Sequence, residues 1–169
     1  MSAEFLPFKG KHSGEAAILY ATGPSLSEFS LSFLPETPDV AVGVNSFIYQ
    51  DSVALDYYFC AHDVAKELET TRTDHPHREL EQACALFEKI KSRSSSLQVF
   101  CCDTLDGEQH IDFFTKVDAE EMGAIVYALT RRAGIGSFQA DLTAGSMYNH
   151  SIVFPALQFL LYTGIGRIY

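Results

Sequence analysis

Tryptophan is absent from this 169-residue chain, and so is any apolar run long enough to cross a bilayer. The longest strongly apolar stretch, 151–162, contains Pro155 and Gln158 and falls short of the ~20 residues a spanning helix needs. Met1-Ser2-Ala3-Glu4 lacks a basic segment followed by an apolar run, so the sequence predicts no signal peptide and a cytoplasmic protein. Cysteine is scarce: Cys60, Cys84, Cys101 and Cys102 show no Cys-x-x-Cys spacing, which predicts buried, reduced thiols rather than a disulfide framework. Positive charge is scarce too. Twelve Lys and Arg stand against 22 Asp and Glu, and the formal charge of −10 repels a polyanion, which argues against nucleic-acid binding. A single nucleotide is not excluded, because backbone N–H groups can hold phosphates without cationic side chains.

What the chain does have is core material. Hydrophobic residues make up 47% of it, with 13 Phe and 8 Tyr, enough for one domain with one core. Residues 1–14 read as a polar, flexible lead-in, and 15–169 as a single nucleotide-binding α/β domain. Three short β-prone runs follow: Ala16 to Ala21, Val40 to Val44 and Tyr57 to Ala61. Each stops at a small polar cluster, as the strands of a parallel sheet do when their polar groups gather at the carboxyl ends. Pro76 to Lys91 carries apolar residues at helical spacing, with Pro76 suited to a first turn. Leu97 to Cys101 reads as a fourth strand and Ile111 to Phe114 as a short fifth. The stretch Glu120 to Arg132 is consistent with helix or strand, and Leu142 to Tyr148 reads as a turn. Ile152 to Tyr162 is apolar nearly all round, as in a buried helix, and Ile165 to Tyr169 begins another strand. The predicted fold is a Rossmann-like, three-layer α/β domain with a mainly parallel central sheet. A strand starting so near Tyr169 suggests the N-terminal part of a longer protein or a trimmed form of the fold, truncated at the C-terminus.

Four places carry candidate chemistry. Thr22-Gly23-Pro24-Ser25-Leu26 follows the first strand. Gly23 permits close approach to an anion, Pro24 fixes the turn, and the Ser25 hydroxyl and following N–H groups can donate to phosphate oxygens. The same residues also make an ordinary strand-to-helix turn. Asn45 ends the second strand, where an amide suits a base edge or ribose, or simply caps a turn. His62-Asp63 ends the third: Asp63 suits a ribose hydroxyl or a magnesium ion accompanying a diphosphate, His62 suits proton transfer, and a loop cap is the plain alternative. Thr143-Ala144-Gly145-Ser146 precedes the last helix, where Thr143, Gly145 and Ser146 leave room for a ligand at its N-terminus or serve as a plain N-cap. Weaker patterns, such as His75-x-His77, the Asp103–Asp106 loop, Arg131-Arg132 and His150, read as surface or structural features.

Together these segments resemble two related families, the 6-hydroxymethylpterin diphosphokinase-like domains and the small bacterial sialyltransferases that use CMP-sialic acid. Ala17 to Leu26 looks like their opening strand and Gly-Pro-Ser-Leu turn. Val42-Gly43-Val44-Asn45 is similar to their second-strand end, and Asp56 to Asp63 to their strand that ends in an acidic residue. Thr143 to Ser146 and Ala156 to Tyr169 resemble the late Gly-Ser loop, buried helix and following strand. The resemblance implies a transferase with a nucleotide donor: CMP-sugar across Gly23, Ser25, Asn45 and Gly145, or ATP with Asp63 holding Mg2+. The families continue beyond the position of Tyr169 into an aliphatic-Gly-x-Asp segment, and the sialyltransferases place their histidine base beyond it. The remaining expectations are a non-catalytic or truncated nucleotide-binding domain, or an interaction module that pairs as a homo-oligomer.

Overall fold

Short runs of β-branched and aromatic residues flanked by turn formers make the strands, and their pairing makes one sheet. The computed structural model describes residues 3–22, 38–60, 76–105, 108–109, 122–130, 141–142, 146–147 and 151–169. Among them the strands are β1 (Ala16–Tyr20), β2 (Val40–Val44), β3 (Tyr57–Cys60), β4 (Gln98–Leu105), β5 (Glu108–Gln109), β6 (Ile125–Thr130), β7 (Ser146–Met147) and β8 (Arg167–Ile168). The helices are α1 (Pro76–Arg93) and α2 (Val153–Tyr162), with 3-10 helices η1 (Ala3–Phe8) and η2 (Asn45–Tyr49). The sheet order is β7-β6-β4-β3-β2-β1-β8, and every neighbouring pair along it is parallel. Only β5 runs antiparallel, as a hairpin partner of β4. This is the predicted α/β, Rossmann-like architecture.

The order dictates where the helices go. From β1 the chain steps outward through β2, β3, β4, β6 and β7, then returns to place β8 on the other side of β1. Parallel crossovers are right-handed, so outward and returning connections lie on opposite faces. Accordingly α1, on the β3–β4 connection, packs Leu86, Phe87 and Ile90 with Ile18, Ala41, Tyr58 and Val99. On the return, α2 packs Ala156, Phe159 and Leu160 with Ala17, Val40, Val42 and Phe59. Alternate residues of one strand therefore serve different layers, as the two-residue period of a strand requires.

The α2 face is aromatic. Phe59 and Phe100 stack with ring centroids 4.5 Å apart, and Phe159 lies 4.8 Å from both Tyr57 and Phe100. Phe8 fits edge-on against Phe159 at 5.4 Å, and Phe5 stacks on Phe100 at 5.8 Å. Those last two rings correct the reading of residues 1–14 as a flexible lead-in. η1 buries Phe5 and Phe8, and the segment after it caps α2. The N–H groups of Gly10, His12 and Gly14 donate to the carbonyls of Tyr162, Thr163 and Gly164, partners a helix end otherwise lacks. Polar composition concealed this, because backbone rather than side chains makes the bonds.

Helix α2 ends on Gly164 at φ 84°, the left-handed region that a glycine enters without penalty. Gly164 N–H donates to Leu161 and Ile165 N–H to Leu160, the paired bonds of a Schellman motif. Of the two readings of 120–132 the strand holds, as β6, since Ile125 and Val126 pair with Phe100 and Cys101 of β4. One other expectation changes. Ser146 is not at a helix N-terminus but in β7, and α2 begins at Val153 with Ile152 as its N-cap. The strand expected at Ile111–Phe114 lies outside the described residues. Cys60 and Cys101 are buried, are not in disulfides, and face each other across β3 and β4 with sulfurs 3.3 Å apart. Among the described residues no helix is long and apolar enough to cross a membrane.

Candidate functional site

The carboxyl ends of β1, β2 and β3 form one rim. Tyr20 pairs with Gly43 and Val44 with Phe59, so the residues that follow these strands emerge at nearly the same level. Neighbouring strands are about 4.8 Å apart, which spreads the three exits over about 10 Å. Beside β1, on the side away from β2, lies β8, reached from the opposite direction. β8 pairs with Ala16 and Ala17 at the amino end of β1, so β1 runs beyond it toward the carboxyl rim through Ala21 and Thr22. Gly23, Pro24 and Ser25 follow directly and lie outside the described residues, as do His62 and Asp63 after β3.

At this rim Asn45 is the predicted residue whose geometry is described. The chain turns sharply from β2 into η2 there, with Asn45 at φ 49°, a left-handed conformation that asparagine tolerates better than most side chains. Tyr58 on β3 holds the turn: its buried hydroxyl donates to the Asn45 carbonyl at 2.7 Å. Burial, then the nearby Cys60 and Cys101, pushes the Tyr58 phenol well above its ordinary value, so it remains a donor. Tyr20 at the end of β1 stacks on Phe47 of η2 at 4.5 Å, locking the first two exits together. Arg93, at the end of α1, donates to the carbonyls of Ile48 at 2.9 Å and Val53 at 2.7 Å, fastening η2 from outside. Gly43 packs closely against the side chain of Leu55. A Cβ there would lie 2.6 Å from Leu55 Cδ1.

Ser146, of the late Gly-Ser segment, lies at the other edge of the sheet. Ser146 lies in β7, five strand positions from β1, which is about 24 Å across the sheet. Its ladder partner is Leu129 of β6, which itself pairs with Leu105 near the far end of β4. Ser146 therefore lies well away from the end of β1. Thr143 and Gly145 lie outside the described residues, next to β7 in sequence. The signal misread was local: Gly and Ser before an apolar helix resemble an N-cap, whereas the intervening residues leave room for a strand.

A polar network at the opposite rim was not legible in the sequence. Asp39 and Asp56 each accept a backbone N–H at the start of a neighbouring strand, from Ala16 and Ala41, both at 2.8 Å. Beside them, His12 bridges Glu15 and Tyr57, with Nδ1 2.7 Å from the carboxylate and Nε2 2.7 Å from the phenol oxygen. Lys11 donates to that same oxygen at 3.0 Å. Residues 12 and 57 are far apart in sequence, so no motif announces the pair.

Among the described residues no group of three or more His, Cys, Asp or Glu is assembled to hold a metal. The chain matches no protein-family model, no curated protein and no solved structure.

Proposed function

We propose that the chain binds a nucleotide by its phosphates at the carboxyl rim, where β1 runs out beside β2. Among the described strands the order reverses at β1, the position where doubly wound sheets hold ligands, and this carries the reading for the Gly23-Pro24-Ser25 segment that follows it. In this reading the N–H groups after Gly23 and the Ser25 hydroxyl donate to phosphate oxygens. Backbone donors suit a protein of charge −10, since they bind an anion without recruiting cations. Asn45, held in place by Tyr58, offers its amide to the ribose or base from the adjoining strand.

The reaction proposed is group transfer from the nucleotide, to a sugar acceptor in the sialyltransferase-like form or as diphosphate in the kinase-like form. Asp63 supplies a carboxylate suited to Mg2+, and that ion would offset diphosphate charge. His62, next to it, takes the acceptor proton. The cytoplasm is the setting proposed. Ser146 is left out of this site, given the position of β7.

A thermal-shift panel of CMP and ATP, each with and without Mg2+, tests the reading. A ligand at about a hundred times its dissociation constant adds about 2.7 kcal/mol to stability, a shift of several degrees. Stabilisation by CMP without metal selects the sugar-transfer form, and stabilisation by ATP only with Mg2+ selects the diphosphokinase form. No stabilisation by either at millimolar concentration would sink the proposal.

A further inference from the structure

Two of the four cysteines meet across neighbouring strands. Cys60 is the last residue of β3, and Cys101 is its register partner on β4. Both belong to the α1 layer, as do Tyr58 and Val99 two residues earlier on the same strands. Their side chains therefore leave the sheet on one face. Register partners on parallel strands have Cα atoms about 4.8 Å apart. A disulfide spans Cα separations of roughly 4.4–6.8 Å. The sulfurs already lie 3.3 Å apart, so closing to a bond of about 2.05 Å takes a small movement and no change of register.

The pair also stands where the sealed part of the layer ends. Cys60 and Cys101 are each 4% exposed, against 0% for Tyr58 and 1% for Val99. So narrow an opening suits a small neutral oxidant better than a peptide-sized one. In a reducing compartment the resting state of such a pair is the dithiol, and its disulfide is transient.

We propose that Cys60 and Cys101 form an oxidation-sensitive dithiol, which a small hydroperoxide converts to a cross-strand disulfide joining β3 to β4. The Cys60 thiolate attacks one oxygen of hydrogen peroxide. The O–O bond breaks, a sulfenic acid forms on Cys60, and the departing hydroxide takes up the thiol proton as water. The Cys101 sulfur then attacks the Cys60 sulfur. The S–O bond breaks, and the hydroxide leaves as water with the Cys101 proton. Two thiols and one peroxide thus give one disulfide and two waters, the sulfurs losing the two electrons that the peroxide gains. Contact between the sulfurs favours the second step, because the attacking group is already in place. The proposal is independent of the nucleotide reading and holds whatever the carboxyl rim binds.

The test uses the full chain carrying Cys84→Ser and Cys102→Ser, which keeps Cys60 and Cys101 as its two cysteines. Hydrogen peroxide added to the folded protein should lower the thiol titre, read after unfolding, from two to none. The chain should lose the mass of two hydrogen atoms and run as a monomer on a non-reducing gel. Dithiothreitol should restore both thiols. In the same background Cys101→Ala should gain oxygen at Cys60 instead of losing hydrogen. Peptide mapping of the peroxide-treated unsubstituted chain, which needs no substitution to fold, should find Cys60 linked to Cys101. A titre that stays at two, oxygen added to the pair in place of the disulfide, or a link formed between two chains would overturn the proposal.

Discussion

The two rims of the sheet are built by different means. At the carboxyl rim, geometry is a backbone matter: a left-handed Asn45, a glycine at position 43 that no side chain could replace without displacing Leu55, and strand ends in register. At the amino rim, side chains from distant segments tie the start of the chain to β3 through His12, Lys11 and Tyr57. Turns leave local marks in a sequence because they demand Gly, Pro or Asn at fixed places. Side-chain networks leave none, because their spacing exists only in the folded state.

This contrast can be broken by substitution. The largest effect is expected from Phe8→Ala, which empties the aromatic layer beside Phe159 and Phe100 and should cost about 3 kcal/mol in urea unfolding. The amino-rim network should loosen with it, while the nucleotide binding proposed for the other rim should persist in the molecules that remain folded. Gly43→Ala comes next. Pushing Leu55 aside should cost about 1–3 kcal/mol and disturb the exit of β2.

Tyr58→Phe removes the donor to Asn45 and should cost about 1–2 kcal/mol near neutral pH. It also has a pH signature. The folded Tyr58 phenol titrates above its unfolded value, so its contribution is fully present below about pH 10. It is lost as pH rises beyond that, where the unfolded phenol ionises and the folded one resists. Tyr20 and Tyr162, also raised by burial, add to the same alkaline loss. Chemical denaturation across this range should show a shallower decline in Tyr58→Phe than in the wild type. The smallest effect separates Asn45→Gly from Asn45→Ala. Glycine should be nearly neutral, and alanine should cost about 1 kcal/mol because φ is positive there. Equal costs would mean that the amide, not the backbone, holds the turn.

Much of the fold was readable beforehand. The runs at 16–21, 40–44 and 57–61 became β1, β2 and β3 within one residue, because buried parallel strands are short, apolar and ended by polar residues. Helix α1 runs two residues past its expected end, to Arg93, whose guanidinium has carbonyl partners on η2 and beyond. The 120–132 stretch was ambiguous because its periodicity suited either element, and pairing with β4 decided it. η1 was missed because its contribution comes from two phenylalanines in a segment too short to show a periodicity. For the site, the ends of β1, β2 and β3 share one rim, while strand order, which sequence does not reveal, put Ser146 at the far edge.

Amide NMR during titration with CMP, and with ATP and Mg2+, tests the carboxyl-rim assignment most directly. The account predicts saturable shifts centred on Ala21, Thr22 and Asn45, with Ser146 and Met147 unmoved. Shifts centred on Ser146 and Met147, or none at Ala21 and Asn45 under saturating nucleotide, would contradict it.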